Sequence, residues 1–194
     1  FKSNGQWFTG AKSIHGDKTT ELAEIVAKFY SGKTVMMFFS PYRPYNINWR
    51  NVLVWNKGGH VGIGGDRETC WKRDFELIGV RDNRPLNGFR DSAVLNFNAV
   101  LPPPSGHFAE KPVGLMAYLI RKLTNPGDTI IDPFMGSGST IVAAIQEGRN
   151  AIGIERDADY FAIAQQRCLE ATYQPSLFAP QPTQWEPVAM FGDD

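Results

Sequence analysis

The stretch that decides the fold is Thr129-Ile-Ile-Asp-Pro-Phe-Met-Gly-Ser-Gly-Ser-Thr140, a short apolar run followed by two glycines and small hydroxyl residues. A short apolar run bounded by turn residues is typical of a buried strand, and the pattern after the glycines predicts a helix over 140–147. Gly136 and Gly138 let the backbone turn tightly and approach a ligand with no Cβ in the way. Because the amides at the helix start face the same space, the stretch predicts a ligand-binding turn.

The residues that follow favour a ribose-bearing ligand. Gly148 is expected to stop the helix, and a strand is predicted over 151–155 that ends in Glu155. This acidic residue stands at about the distance where α/β nucleotide folds hydrogen-bond a ribose. NAD is disfavoured because its fingerprint would have Gly or Ala where this chain has Ile141. The P-loop is excluded because residues 138–140 offer no Lys between the glycine and the hydroxyl.

The rest of the chain alternates between periodic and irregular segments. Further helices with a 3.6-residue apolar period are predicted over 19–30, 113–123 and 159–171. Further strands are predicted over 34–39, 51–57 and 75–80. Loops are predicted over 1–17, 58–74 and 81–108. Thr19 or Thr20 is expected to cap the first helix and Asp157 the last. We therefore predict an α/β fold with a mostly parallel sheet and helices on both of its faces.

The composition narrows the class of protein. At 194 residues the chain is long enough for one α/β domain, and no apolar run approaches the roughly 20 residues of a membrane span. Lys+Arg and Asp+Glu both count 20, so any contact with nucleic acid must be local. Cys70 and Cys168 lie far apart, which excludes a cysteine-rich zinc module, gives no sign of a disulfide framework and fits a cytoplasmic protein.

Three motifs together resemble the DNA amino-methyltransferases, which methylate adenine N6 or cytosine N4. They are His107-Phe-Ala-Glu-Lys-Pro112, Asp132-Pro-Phe-Met-Gly-Ser-Gly-Ser-Thr140 and Gly148-Arg-Asn-Ala-Ile-Gly-Ile-Glu155, followed by Tyr160. The resemblance is to the permuted order, in which the catalytic half precedes the cofactor half. It is closest over 106–171.

A looser resemblance extends over residues 34–80, where Val54-Trp-Asn-Lys57 and Phe75-Glu76 look like later strands of the family. The resemblance as a whole implies a Rossmann-like fold that uses S-adenosylmethionine. It implies a single methyltransferase domain over 1–172, followed by a flexible, proline-rich tail over 173–194.

The resemblance also implies the residues of the cofactor pocket. Phe134 would pack on the adenine of S-adenosylmethionine, and Glu155 would take its ribose hydroxyls. Lys111 and Pro112 would close the methionine side. The remaining predicted pocket residues line the methionine and adenosine portions: Asp132, Pro133, Gly136, Ser137, Gly138, Ser139 and Thr140. The alternatives are a solvated helix start at Lys111 and an ordinary core position at Phe134.

The activity implied by the resemblance is methyl transfer to the exocyclic amine of adenine, or of cytosine, in DNA. Prokaryotic or phage restriction-modification systems use such enzymes. In the family a polar residue, two prolines and an aromatic hold the amine of a base rotated out of the duplex. We favour adenine because it is the commoner target in the family. No metal is expected, since the three histidines lack ligand spacing and transfer from a sulfonium needs none.

The family's catalytic tetrapeptide does not occur in standard form, which is the main departure from the pattern. Ser40-Pro41-Tyr42 is the nearest match, but it lacks the second proline. The favoured interpretation places the unknown catalytic residues upstream of Phe1. In the sheet that the resemblance implies, the strand that bears them lies beside the glycine-loop strand, and a buried strand without its partner would leave hydrogen bonds unmade. The alternative is a catalytically incomplete cofactor-binding module with a regulatory or structural role.

Contacts with partners are predicted from local features. DNA contacts are expected from cations near aromatic residues: Lys2 and Lys12 with Trp7 and Phe8, and Arg67, Lys72 and Arg73 with Trp71. Solvated surfaces are the alternative for both clusters. Gln174-Pro-Ser-Leu-Phe178 resembles the peptide that docks bacterial replication proteins on the sliding clamp, with Gln174, Leu177 and Phe178 as contacts. A disordered tail is the alternative there.

Overall fold

The computed structural model describes residues 20–30, 32–58, 74–82, 84–101, 103, 105–107 and 109–173. The chain forms two compact units, residues 1–102 and 103–194. Helices and strands occur in both units, which confirms the α/β class. The single domain expected over 1–172 stays a prediction.

The first unit is built around a four-stranded sheet. Its elements are α1 (Glu21–Phe29), β1 (Val35–Phe39), β2 (Asn51–Asn56), β3 (Phe75–Arg81) and β4 (Val94–Asn96). The strands lie in the order β1-β3-β2-β4. β3 runs antiparallel to both of its neighbours, whereas β2 and β4 are parallel.

Buried apolar side chains lie at the centre of this sheet. Trp55 and Ile78 are almost fully buried, and Leu95 pairs with Trp55 across β2 and β4. The indole N–H of Trp55 donates to the carbonyl of Phe97 at 2.7 Å, so its polar atom is satisfied. Burial of these apolar side chains holds the short strand β4 in place.

The second unit alternates helices with two parallel strands. Its elements are α2 (Val113–Leu123), β5 (Thr129–Asp132), α3 (Ser139–Gln146), β6 (Asn150–Gly153) and α4 (Ala158–Tyr173). β5 and β6 pair in parallel with Ile131 opposite Ile152. α3 packs against both α2 and α4, and the fully buried Ala143 and Ala144 let the helices approach closely.

Four details differ from the sequence prediction. The described strands form two parallel and two antiparallel pairings, so the sheet structure is mixed rather than mostly parallel. β4 lies within a predicted loop, because three residues are too short to show a period. Thr20 makes no side-chain cap, although its carbonyl accepts the Glu24 amide at 3.0 Å. β6 ends at Gly153, so Glu155 lies two residues beyond the strand.

The predicted cap of α4 is confirmed. The Asp157 carboxylate accepts the amides of Asp159 and Tyr160 at 3.0 and 3.2 Å, which satisfies two N–H groups of the first turn.

Several predicted features lie outside the described residues. These are the opening loop, most of the loop over 58–74, the tail after Tyr173, the basic residues Lys2, Lys12, Arg67, Lys72 and Arg73, and the clamp-docking residues Gln174, Leu177 and Phe178. Among the helices that are described, none combines the length and the apolar character that crossing a bilayer requires.

Candidate functional site

The turn between β5 and α3, residues 133–138, is called the glycine loop below. Gly136 and Gly138 have φ of +54° and +83°, a left-handed conformation that favours glycine. A Cβ on Gly138 would lie 2.9 Å from the Cβ of Ala164 in α4. The loop therefore needs glycine at 138 for both its backbone angle and its close contact with α4.

The Glu155 carboxylate fixes the glycine loop from the segment that follows β6. Its Oε2 accepts the amide of Gly136 at 2.8 Å, and its Oε1 accepts the amides of Arg156 and Asp157 at 2.9 Å each. In addition, the amide of Met135 donates to the carbonyl of Ile154 at 3.0 Å. One acidic side chain thus joins the loop to the chain segment that enters α4.

Asp132 closes the other end of the loop. Its Oδ1 accepts the amide of Phe134 at 3.0 Å, and its carboxylate also accepts a hydrogen bond from the Thr140 side chain. Burial raises the pKa of Asp132 above its ordinary value, and these two hydrogen bonds oppose the shift. The side chain therefore spans the glycine loop from its strand to its helix.

The loop presents both polar and apolar groups. Ser137 and Ser139 are buried, and the Ser139 hydroxyl has no hydrogen-bond partner among the described residues. The first amides of α3 have no carbonyl one turn earlier in the helix to accept them. Phe134 lies at the loop surface with half of its side chain exposed. Hydrogen-bond donors and an accessible aromatic ring therefore occur within a few residues.

A buried ion pair supports the loop from α4. Arg167 pairs with Glu110 at 3.0 Å through Nη2, and its Nη1 donates to the carbonyl of Ser137 at 2.6 Å. The Ser105 hydroxyl donates to the second oxygen of Glu110. The Glu110 side chain is only 5% exposed, so its charge depends on Arg167 for compensation.

His107 packs directly on the glycine loop. A Cβ on Gly136 would lie 2.9 Å from its Nε2, and its ring meets the Tyr160 ring edge-on at 4.5 Å between centroids. Its Nδ1 is buried and has no hydrogen-bond partner in the described part of the chain. Burial lowers the pKa of His107 below its ordinary value; Glu155 opposes the shift and Lys111 adds to it. Burial therefore favours the neutral imidazole.

Lys111 and Pro112 lie where α2 begins. Pro112 is the N-cap, and its carbonyl accepts the amides of Leu115 and Met116 at 3.0 and 3.2 Å. The Lys111 ammonium donates to the carbonyl of Ala109 at 3.3 Å. Both residues therefore belong to the turn that positions His107 and Glu110.

The predicted cofactor residues all lie in the second unit, whereas the nearest match to the catalytic tetrapeptide lies in the first unit. Ser40, Pro41 and Tyr42 follow β1 in the first unit. The Ser40 hydroxyl accepts the Tyr42 amide at 3.3 Å, and Tyr42 is largely exposed. A catalytic role for these three residues stays a prediction.

Sequence reasoning assigned no role to four residues that support the loop. His107, Glu110 and Tyr160 belong to the motifs that carry the resemblance. Their place in these motifs could have indicated a role for them, as it did for Lys111 and Pro112. Arg167 had no such signal. Its partner carbonyl at Ser137 is 30 residues away in sequence, and only the packing of α4 brings them together.

The second unit has a strand followed by a glycine loop and a helix, and an acidic residue after the next strand holds the loop. This arrangement defines a Rossmann-like unit of the kind that binds nucleoside cofactors. Residues 63–166 match the family model of the N6/N4 DNA methylases. The chain belongs to this N6/N4 DNA methylase family.

Two curated relatives illustrate the membership. A candidate methylase of Escherichia coli K12, YubD, is 51% identical, with the match covering 80% of this chain and 73% of YubD. The type II methyltransferase M.Cfr9I of Citrobacter freundii is 40% identical over 61% of this chain. The chain spans only 43% of the length of M.Cfr9I.

Two solved structures are similar in fold. The complex of M1.HpyAVI with SAM has a TM-score of 0.51 and 24% identity, covering 75% of this chain and 68% of that one. A candidate DNA modification methylase from Thermus thermophilus, complexed with S-adenosyl-L-methionine, has a TM-score of 0.51 and 19% identity, covering 74% and 71%. At these identities the likeness confirms the Rossmann-like fold.

Replacing Arg167 by Met is expected to lower the free energy of unfolding by about 3–5 kcal/mol, because the buried Glu110 carboxylate loses its counter-ion. Urea denaturation measures the loss. The double variant Arg167→Met/Glu110→Gln should recover most of it, since no uncompensated charge remains. A single variant as stable as the wild type would show that the pair does not support the loop.

The lowered pKa of His107 predicts a pH dependence of stability. Below pH 6.5 the unfolded chain binds more protons at this residue than the folded chain, so stability falls as pH drops below 6.5 and levels off once the pH is below the folded pKa. His107→Phe keeps a ring against Gly136 and should remove this contribution. The raised pKa of Asp132 has the opposite effect, because it increases stability as the pH falls into the acid range. This contribution is present in both the wild type and the His107→Phe variant. Parallel stability profiles for the two proteins between pH 7 and pH 5 would contradict the prediction.

Proposed function

We propose that this chain is the cofactor-binding part of a DNA amino-methyltransferase that transfers a methyl group from S-adenosylmethionine to N6 of adenine. The observation that carries the proposal is the glycine loop, held at Gly136 by the Glu155 carboxylate. Family membership supports DNA methylation, and two similar structures contain S-adenosylmethionine.

The residues around the loop fit this cofactor. A carboxylate offers about four acceptor sites, and Glu155 uses three for backbone amides, so it retains capacity for a ribose hydroxyl. The half-exposed ring of Phe134 offers a surface for adenine. The start of α3, with the Ser139 hydroxyl, suits a carboxylate such as that of methionine. Lys111 adds a positive charge close enough to His107 to lower its pKa.

The bound cofactor supplies a methyl group activated by a sulfonium. The residues of this chain hold and orient that group: Asp132 and Glu155 fix the loop, and Gly136 and Gly138 keep its backbone open. The exocyclic amine of a base is a weak nucleophile, so the enzyme must also hold its two protons after extruding the base. We assign N6 of adenine as that amine because adenine is the commoner target in the family.

Replacing Phe134 by Ala is expected to weaken the binding of S-adenosylmethionine about tenfold, because an aromatic stacking surface is lost. Isothermal titration calorimetry measures the affinity. Phe161→Ala is the matched control, since Phe161 lies on α4 of the same unit and is 45% exposed against 50% for Phe134. Equal affinities for the two variants would contradict the assignment of Phe134.

The reaction itself is tested by mass spectrometry of nucleosides from DNA incubated with the full-length protein and methyl-labelled cofactor. Labelled N6-methyladenine is expected. Labelled N4-methylcytosine would overturn the assignment of adenine as the target base but would support methylation of an exocyclic amine. Saturating cofactor uptake with no methylated base would instead indicate a binding module without catalysis.

A further inference from the structure

The segment that joins β3 to β4 carries an unusual combination of residues. Residues 84–90, here called the basic loop, read Arg-Pro-Leu-Asn-Gly-Phe-Arg. Phe89 is 90% exposed, the highest value among the large hydrophobic side chains of the described residues. Leu86 is 45% exposed. Leu86 and Phe89 are three residues apart in sequence, and exposed apolar side chains that lie close together are typical of a contact with a partner.

The base of the basic loop is fixed by side chains. Arg50 donates through Nη1 to the carbonyls of Asp82 and Arg84, at 2.9 and 3.4 Å. The carboxylate of the buried Asp82 accepts the amide of Arg84 at 2.8 Å. Gly88 has φ of +73° and turns the chain immediately before Phe89. The exposed Phe89 ring therefore follows a turn in a loop whose base is held by hydrogen bonds.

The loop also concentrates positive charge in a chain whose net charge is zero. Three guanidinium groups belong to it or to its base: Arg50, Arg84 and Arg90. The carboxylate of Asp82 is buried and accepts a backbone amide, whereas that of Asp91 is exposed, so the three guanidinium groups outnumber these two carboxylates. Within the described residues Arg90 makes no ion pair.

We propose that the basic loop is a DNA-contacting element, in which Arg84 and Arg90 bind phosphates and Phe89 packs against bases. Arginine is a frequent phosphate ligand, and an exposed aromatic between such cations can stack on bases or wedge between base steps. The inference deepens the proposed function, because it names the surface that would meet the DNA substrate. The positive charge favours a polyanion over a second copy of this neutral chain.

The test measures the affinity of the full-length protein for a fluorescent DNA duplex of mixed sequence, by anisotropy over a range of salt concentrations. Phe89→Ala should weaken binding about tenfold with little change in the salt dependence, since it removes stacking and no charge. Arg90→Gln should lower the slope of log affinity against log salt by about one, as one phosphate contact is lost.

Matched controls lie on α1. Phe29 is 81% exposed and Lys28 is exposed beside it, so Phe29→Ala and Lys28→Gln remove the same kinds of group from another surface. Both variants should bind DNA like the wild type. Cofactor affinity, measured by calorimetry, should be unchanged in all four variants, because the cofactor residues lie in the other unit.

Several results would overturn the inference. One is wild-type DNA affinity in both Phe89→Ala and Arg90→Gln, and another is a wild-type protein that does not bind the duplex. A third is a Phe89→Ala variant that changes only self-association in sedimentation velocity, which would assign the surface to a second copy. Failure of the wild type to take up S-adenosylmethionine would defeat the proposed function, while the DNA measurement would still decide this inference.

Discussion

The hydrogen bond from the Gly136 amide to the Glu155 carboxylate is the interaction on which the rest of the site depends. It joins two segments that are 19 residues apart in sequence, the glycine loop and the entry to α4. Hydrogen bonds to an ionised acceptor are stronger than neutral ones, so this contact can fix a tight turn. Every predicted cofactor residue between Asp132 and Thr140 takes its position from a loop held in this way.

Close packing leaves little room for side chains at two positions of the loop. The His107 ring occupies the space that a side chain at Gly136 would need, and Ala164 does the same for Gly138. Arg167, paired with Glu110, then holds the carbonyl of Ser137. The loop backbone therefore contacts both the α2 turn and α4, while the Phe134 ring stays half exposed.

Much of the second unit could be predicted from sequence because its signals are local. The bounds of α2 were predicted to the residue, and the site was proposed from the glycines and from the acidic residue at the end of the next predicted strand. Strand direction was less accessible, since an apolar run does not encode whether its neighbour is parallel, and β3 is antiparallel to both neighbours. Arg167 was missed because tertiary packing alone selects its partners.

The most direct test of the central claim is hydrogen–deuterium exchange of the wild-type protein with and without saturating S-adenosylmethionine. Slower exchange is expected in the peptide that contains Asp132 to Thr140, with unchanged exchange at the far end of α4 near Thr172. Saturable binding with no protection of that peptide would show that the cofactor does not bind at the glycine loop.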